Sequence, residues 1–188
     1  MNPSQNPSAI RSKREITQAL LQLMKIHPFE EITVKQILFE SKVARKTFYR
    51  NFVSKEDVLD SYIDRILLHY IQSLQETSGC QLSNILDIIF TFCIQHREFL
   101  FLLQDNKRLH LLLEKWNTCI PTLHRQIVSP SHPMFQSFSE DQVDCIIAFN
   151  IGAIWNVIVR WISNEMLDSP DVIRKTLLDY LKNLALFL

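Results

Sequence analysis

Glycine is scarce in this chain, and its scarcity limits the folds that the chain can form. Only two of the 188 residues are glycine, whereas 47% are hydrophobic. Leu, Gln, Glu and Lys, which are common here, are good helix formers. The sequence therefore predicts an all-α protein with one domain or two small ones, and with enough apolar side chains to bury a sizeable core.

The N-terminal quarter of the chain predicts three helices. Apolar residues recur every three or four positions over residues 11–27, and Pro28 ends this first helix. Residues 1–9, rich in Pro, Ser and Asn, are predicted to form a flexible tail. Thr33 is a good N-cap for a short second helix. Residues 44–51 predict a third helix, and the short turn before it is what a helix-turn-helix requires.

The third helix carries many polar side chains between apolar anchors. Val43, Phe48 and Phe52 are predicted to face the core. The remaining faces hold Arg45, Lys46, Thr47, Tyr49, Arg50 and Asn51. Guanidinium, ammonium, hydroxyl and amide groups of this kind bind phosphates and base edges in the major groove of DNA.

Charge is distributed unevenly along the chain, although the formal net charge is zero. Residues 1–55 contain ten Lys and Arg against four Asp and Glu, and residues 56–188 contain ten against sixteen. A basic N-terminal part on an acidic body indicates that only the N-terminal part meets a polyanion. Chance clustering of charges on a solvated surface is the alternative interpretation.

The rest of the chain predicts one long helix and five more. The fourth helix begins at Ser54, where Asp57 completes a capping-box pair, and continues to about Gln75. Five further helices are predicted over residues 82–96, 99–103, 106–128, 140–163 and 170–187. The predicted architecture is an N-terminal three-helix helix-turn-helix domain, residues 10–53, followed by a C-terminal helical domain, residues 54–188, with about nine helices in all.

The last two predicted helices are apolar on more than one face. One such face comprises Ile147, Ile151, Ile154, Ile158 and Trp161, and it continues in the final helix with Ile173, Leu177, Leu181 and Leu184. The core of a small domain cannot cover every apolar face, so we expect these residues to form a homodimer interface. A central helix in a monomer is the alternative.

Residues 29–59, FEEITVKQILFESKVARKTFYRNFVSKEDVL, resemble the TetR/AcrR family of bacterial transcription regulators. The resemblance rests on Thr33-Val34, Ile37, Val43, Thr47-Phe48-Tyr49, Phe52, Lys55 and Leu59. It implies a homodimer whose N-terminal helices bind a double-stranded DNA operator and whose C-terminal body, the effector-binding and dimerisation domain, binds a small molecule. The predicted function is a regulator, a repressor that a small apolar or aromatic effector releases from a near-palindromic operator.

The resemblance also implies roles for individual residues. Thr33 would cap the second helix and touch a phosphate, Lys35 would face the groove, and Lys55 would reach the DNA backbone. Phosphate or minor-groove contacts are implied for Arg11, Lys13 and Arg14 in an N-terminal arm. The implied effector pocket, for which plain core packing is the alternative, contains Tyr62, Tyr70, Phe92, His96, Phe99, Trp116, Phe149 and Trp155.

Three positions depart from the family pattern. Lys42 stands where the turn glycine is usual, Ala44 where Ser or Thr caps the third helix, and Asn51 where histidine is common. A lysine in the left-handed conformation costs about 1–2 kcal/mol, and a missing cap costs about 0.5–2 kcal/mol. The alternative function is therefore a protein–protein co-regulator of the same fold that has lost DNA binding.

Neither an enzyme nor a metal site is predicted. No catalytic order or glycine-rich phosphate loop stands out, and Cys93-x-x-His96 offers only two candidate metal ligands. The four dispersed cysteines are typical of reduced thiols in an intracellular protein. The N-terminus lacks the apolar segment of a signal peptide, and the longest uncharged run, residues 145–159, is too short to span a bilayer. We therefore expect a soluble, cytoplasmic protein without a cofactor.

Overall fold

The computed structural model describes residues 7–76, 82–127 and 138–184. Within these ranges the chain forms nine α-helices and one 3-10 turn, Phe29–Glu31, and no strand. The helices are α1 (Pro7–Met24), α2 (Val34–Ser41), α3 (Arg45–Asn51), α4 (Lys55–Glu76), α5 (Leu82–Gln95), α6 (Arg97–Asp105), α7 (His110–Ile127), α8 (Glu140–Ser163) and α9 (Pro170–Leu184). The predicted all-α class is confirmed.

The chain divides into two compact units, and the division between Leu67 and Leu68 falls inside α4. The first unit contains α1, α2, α3 and the beginning of α4. Val58, Leu59 and Ile63 of α4 are at most 1% exposed. Burial of these side chains makes the start of α4 part of the first unit, whereas the predicted domain division lies earlier, between residues 53 and 54.

Apolar side chains at helical spacing build the core of the first unit. Ile16 and Leu20 of α1, Ile37 of α2 and Phe48 of α3 are 0% exposed. Ile26 lies within the apolar pattern that predicts the first helix over residues 11–27, yet it is 72% exposed. The reason is that α1 ends at Met24, so the helical spacing no longer holds when the chain reaches residue 26.

Hydrogen-bonded caps fix where α2 and α4 begin. Thr33 and Gln36 form a reciprocal capping box, in which the Thr33 backbone N–H donates to Gln36 Oε1 at 2.8 Å. At α4, Ser54 Oγ accepts from the backbone N–H of Asp57 at 3.3 Å. Asp57 Oδ2 in turn accepts from the backbone N–H of Val53 at 2.8 Å. The predicted cap at Thr33 and the predicted Ser54–Asp57 pair are both present.

The second unit buries one face of α8. Ile147, Ile151, Ile158 and Trp161 are each at most 9% exposed within a single chain. Packing inside one chain accounts for the apolar character of these four side chains, so their predicted place in a dimer interface stays a prediction. Of the other predicted interface residues, Leu181 is exposed and Ile154, Ile173 and Leu177 are half-buried; the side chain of Leu184 lies outside the described part of the structure.

The opposite face of α8 is apolar and accessible. By length and composition alone, residues 141–163 could cross a membrane, and 33% of the apolar window is buried inside the chain. A single helix of this kind is weak evidence for a membrane span, because a helix that another protein surface covers has the same composition. Phe149, 74% exposed, is the largest apolar side chain on this face.

Candidate nucleic-acid interface

The turn between α2 and α3 contains Lys42 and Ala44, two of the three positions that depart from the family pattern. Lys42 ends α2 in the left-handed region, with φ 55° and ψ 22°. Ala44 occupies the N-cap position of α3 in extended backbone, and its side chain makes no capping hydrogen bond. The turn is therefore built as a helix-turn-helix requires, at the cost of one strained residue and one missing cap.

The third helix presents its polar side chains to the surface. Arg45, Lys46, Tyr49 and Arg50 are exposed, whereas Phe48 is 0% exposed. The Phe48 ring also packs edge-on against the Tyr49 ring, with 5.3 Å between the ring centres. The buried phenylalanine fixes the rotation of α3, and this rotation points two guanidinium groups, an ammonium group and a phenol away from the core.

Two side-chain contacts order the polar groups of α3 further. The guanidinium carbon of Arg45 lies 5.6 Å from the centre of the Tyr49 ring, one turn along the helix, within range of a cation–π interaction. Asn51 Nδ2 donates to the carbonyl oxygen of Thr47 at 2.8 Å. Arg45 and Tyr49 thus form an exposed pair, while one of the two N–H donors of the Asn51 amide is used within the helix.

The predicted arm cations lie on a helix. The side chains of Arg11, Lys13 and Arg14 project from helical backbone, as the predicted first helix over residues 11–27 implies, and α1 begins earlier than predicted, at Pro7 inside the predicted flexible tail. Arg11 Nε forms an ion pair with Glu15 at 2.8 Å. All three cations are exposed.

One exposed residue of α2 was missed by the sequence reasoning. Phe39 is 85% exposed, and it lies one helical turn after Lys35, which is also exposed. Residues four apart share a helix face. The spacing from Lys35 could have indicated that Phe39 belongs to the accessible face of α2 rather than to the core.

Lys55 differs from the other predicted DNA contacts. Its ammonium group donates hydrogen bonds to the carbonyl oxygens of Phe29, Glu30 and Ile32, at 2.6, 2.8 and 2.7 Å respectively. Lys55 Nζ also lies 4.8 Å from the centre of the Phe29 ring. An ammonium group has three N–H donors, so in this structure all of them are used inside the first unit.

A short turn, a buried aromatic anchor and an exposed basic helix together define the class of helix-turn-helix DNA-binding domains. Residues 16–62 match the family model described as bacterial regulatory proteins, tetR family. The chain therefore carries a tetR-family DNA-binding domain, which confirms the predicted resemblance. No curated protein sequence matches the chain significantly.

The fold of the chain is similar to solved structures of regulators. One is titled dihydroxyacetone kinase operon activator DhaS; it is 18% identical, with a TM-score of 0.57, and the match covers 93% of this chain and 96% of that chain. Another is the fatty acid degradation regulator FadR from Bacillus halodurans, 16% identical, with a TM-score of 0.58 and coverage of 92% and 93%. The chain thus has the fold of a TetR-type DNA-binding transcriptional regulator.

Five of the predicted pocket residues form an aromatic cluster in the second unit. The Tyr70 ring centre lies 5.5 Å from that of Phe92 and 5.8 Å from that of Trp116. Trp116 lies 5.6 Å from Trp155, and Phe92 lies 4.8 Å from His96. The indole N–H of Trp116 is buried without a hydrogen-bond partner. Burial raises the pKa of the Tyr70 phenol above its ordinary value.

The other three predicted pocket residues lie outside this cluster. Tyr62 belongs to the first unit, where the Arg65 guanidinium lies 4.9 Å from its ring centre. Phe99 is buried in α6, and Phe149 is 74% exposed on α8. A small cavity of about 140 Å³ adjoins the cluster, lined by His69, Tyr70, Ser73, Ile88, Thr91, Phe92 and Gln95. The polar residues of this cavity, His69, Ser73, Thr91 and Gln95, were not predicted, because the predicted pocket was built from aromatic positions.

Cys93 and His96, the two candidate metal ligands of the sequence, lie in the second unit, where His96 is half-buried. Cys93 is 0% exposed, and burial raises the pKa of its thiol to about 12. Burial, and secondarily the charge of His69, lowers the pKa of His96. Across the described residues, no group of three or more His, Cys, Asp or Glu is placed to hold a metal ion.

Proposed function

We propose that this protein is a dimeric transcriptional regulator that binds a near-palindromic operator through α3. The observation that carries the proposal is the outward presentation of Arg45, Lys46, Tyr49 and Arg50 from a helix whose rotation the buried Phe48 fixes. In a dimer, two copies of α3 would enter successive major grooves about 34–36 Å apart. Arginine and lysine would contact bases and phosphates, and the cations would supply most of the affinity.

Residues next to α3 would hold the protein on the phosphate backbone. Thr33 and Lys35, at the start of α2, are both exposed. We propose phosphate contacts for these two residues and for the hydroxyl group of Thr47. The cations of α1, Arg11, Lys13 and Arg14, would add contacts from a helix, so their positions relative to α3 would be fixed when DNA binds.

The proposed dimer would use the accessible apolar surface of α8 and α9. Phe149 on α8 is 74% exposed, and Val172 and Tyr180 on α9 are each 60% exposed. A Cβ atom added to Gly152 would meet no heavy atom within 4 Å, so a helix of a second subunit has room to pack closely against α8. Coverage by a second subunit would remove this apolar surface from water.

The proposed action is repression that a small effector relieves. Helix α4 begins in the first unit, and its residue Tyr70 lies in the aromatic cluster of the second. An effector in the cavity beside this cluster would shift α4 and change the spacing of the two α3 helices. The effector controls binding only through different affinities for the two spacings. The cavity of about 140 Å³ has Tyr70, Ile88 and Phe92 on its walls beside four polar residues, so the proposed effector is a small apolar or aromatic molecule with room for a polar substituent.

The test is a DNase footprint on the DNA that flanks the gene of the protein, together with selection from a random DNA pool. We expect a protected near-palindrome, and titration of the footprint should show that the affinity falls by about 10³-fold or more between roughly 50 and 200 mM salt. The double variant Arg45→Ala, Tyr49→Ala should lose binding, whereas Lys25→Ala, an exposed cation outside the proposed interface, should keep it. Equal binding by the double variant would contradict the proposal.

A co-regulator without DNA binding is the second candidate function. The strain at Lys42 and the missing cap at Ala44 favour it, because both weaken the turn that holds α3. A folded dimer that enriches no sequence from the random pool would support this candidate, and so would a regulatory activity that survives the double variant. The sign of regulation is read from a reporter gene behind the selected site; we expect repression, although the similar protein DhaS is titled an activator.

We propose that the protein acts in the cytoplasm, where an operator is accessible, and that it needs no cofactor or catalytic activity. The family match and the similar structures are those of regulators. A screen for turnover of any compound that co-purifies with the protein would test the absence of enzymatic activity. Conversion of such a compound at the rate of an ordinary enzyme would contradict this part of the proposal.

A further inference from the structure

The first residue of α4 is bonded to a segment more than twenty positions earlier in the chain. Lys55 Nζ donates to the carbonyl oxygens of Phe29, Glu30 and Ile32 at 2.6 to 2.8 Å. These carbonyl groups belong to the 3-10 turn and to the residue that ends it. We call this set of three hydrogen bonds the Lys55 clamp.

The chemistry of the clamp is that of a saturated ammonium group. An ammonium offers three donors and no acceptor, and the three carbonyl oxygens take all three donors. The ring of Phe29, which is 1% exposed, lies 4.8 Å from the same nitrogen and adds a cation–π attraction. A phosphate could bind Lys55 only if at least one of these hydrogen bonds opened.

The first turn of α4 is connected to the segments that flank α2 and α3. Ile32, whose carbonyl accepts from Lys55, directly precedes Thr33, the capping residue of α2. On the other side of α4, Asp57 accepts from the backbone N–H of Val53, two residues after the end of α3. The first turn of α4 is therefore hydrogen-bonded both to the segment before α2 and to the segment after α3.

We propose that Lys55 is a positioning residue that fixes the start of α2 to the first turn of α4 and does not bind a phosphate. This inference rests on the proposed function, and it replaces the DNA-backbone contact that the sequence pattern implies for Lys55. Its consequence for regulation is that a shift of α4 carries Thr33 and Lys35 with it. The two sets of DNA contacts, on α2 and α3, then move together when α4 moves.

The first experiment needs no DNA. The folded wild-type protein is acetylated with a limiting amount of reagent, and each lysine is quantified by mass spectrometry. Lys55 should react at least about tenfold more slowly than the exposed Lys46 and Lys42, because its nitrogen must first leave three hydrogen bonds. Added DNA should protect Lys46 and leave Lys55 unchanged. Reaction of Lys55 at the rate of Lys46 would overturn the proposal.

The second experiment compares the salt dependence of DNA binding in Lys55→Met and in the matched variant Lys46→Met. The slope of log K against log salt is negative, and each lost phosphate contact makes it shallower by about 0.9. Lys46→Met should make the slope shallower, whereas Lys55→Met should weaken binding about tenfold or more at every salt concentration with an unchanged slope. A slope that is shallower by about 0.9 in Lys55→Met would show a phosphate contact and overturn the proposal.

Hydrogen exchange separates positioning from general loss of structure. In Lys55→Met, amides of residues 29–33 should exchange faster while those of α1 keep their protection. If this variant does not fold, the acetylation rate of the wild type still decides the question. A wild-type protein that binds no DNA at all would remove the proposed function, while slow acetylation of Lys55 would still support the clamp and fast acetylation would reject it.

Discussion

Lys42 holds a backbone conformation that glycine adopts more easily. Its φ of 55° and ψ of 22° cost an L-residue about 1–2 kcal/mol, while glycine loses about 0.5–1 kcal/mol more entropy on folding. We predict that Lys42→Gly raises the free energy of unfolding by about 0.5–1 kcal/mol, measured by urea denaturation. The control Lys46→Gly, in right-handed helical backbone, should lower it by about 1 kcal/mol. Equal effects of the two substitutions would show that Lys42 is not strained.

His96 gives the second unit a predictable dependence on pH. Burial, followed by the charge of His69, lowers its pKa below the ordinary value of 6.5. The unfolded chain then binds more protons than the folded one, so the stability from neutral His96 is complete above pH 6.5 and is lost as the pH falls through the lowered pKa. We predict a smaller decline of Tm on acidification in His96→Gln than in the wild type. Parallel declines in both proteins would contradict this prediction.

At the scale of single elements, α3 begins without a side-chain cap although its backbone is ready for one. Ala44 has φ −64° and ψ 142° and lacks an oxygen to accept from the first backbone N–H groups of the helix. We predict that Ala44→Ser raises the free energy of unfolding by about 0.5–2 kcal/mol. Ala44→Val, which adds volume without an acceptor, is the control and should bring no gain. A similar gain in both variants would assign the effect to packing rather than to capping.

The helix-turn-helix could be predicted because its signals are local. Thr33 caps α2 through Gln36, three residues away, and Phe48 is buried because its apolar side chain must face the core between exposed cations. The partners of Lys55 could not be predicted in the same way. Its three carbonyl groups lie 23 to 26 residues earlier in the chain, and sequence spacing within α4 carries no information about them.

The sequence pattern also does not show which apolar face of α8 is buried inside the chain. Ile147 and Ile158 are buried in the chain, and Phe149 is exposed, yet all three are strongly apolar. Periodicity therefore predicts that α8 is covered on two sides, but it does not rank the two sides. That ranking depends on the neighbours of α8, which the helix sequence does not encode.

At the scale of the whole molecule, we predict that the exposed face of α8 holds two subunits together. Phe149→Glu would place a charge where the proposed interface is apolar, so the variant should run as a monomer in size-exclusion chromatography with light scattering, whereas the wild type runs as a dimer. Ile94→Glu on α5, where the side chain is 52% exposed, is the matched control and should leave the dimer intact. A dimeric Phe149→Glu variant would place the interface elsewhere.

Cys145 reports on the same interface without a disruptive substitution. It is exposed within one chain and lies one helical turn before Phe149. A second subunit on this face would cover its thiol, so we predict slow labelling of Cys145 by a thiol reagent in the wild type and fast labelling in Phe149→Glu. Cys93, buried and with its pKa raised to about 12, should label slowly in both proteins and serves as the internal control for folding. Fast labelling of Cys145 in a wild-type dimer, with Cys93 still protected, would mean that the subunits associate through another surface. The exposed apolar face of α8 would then need a different partner.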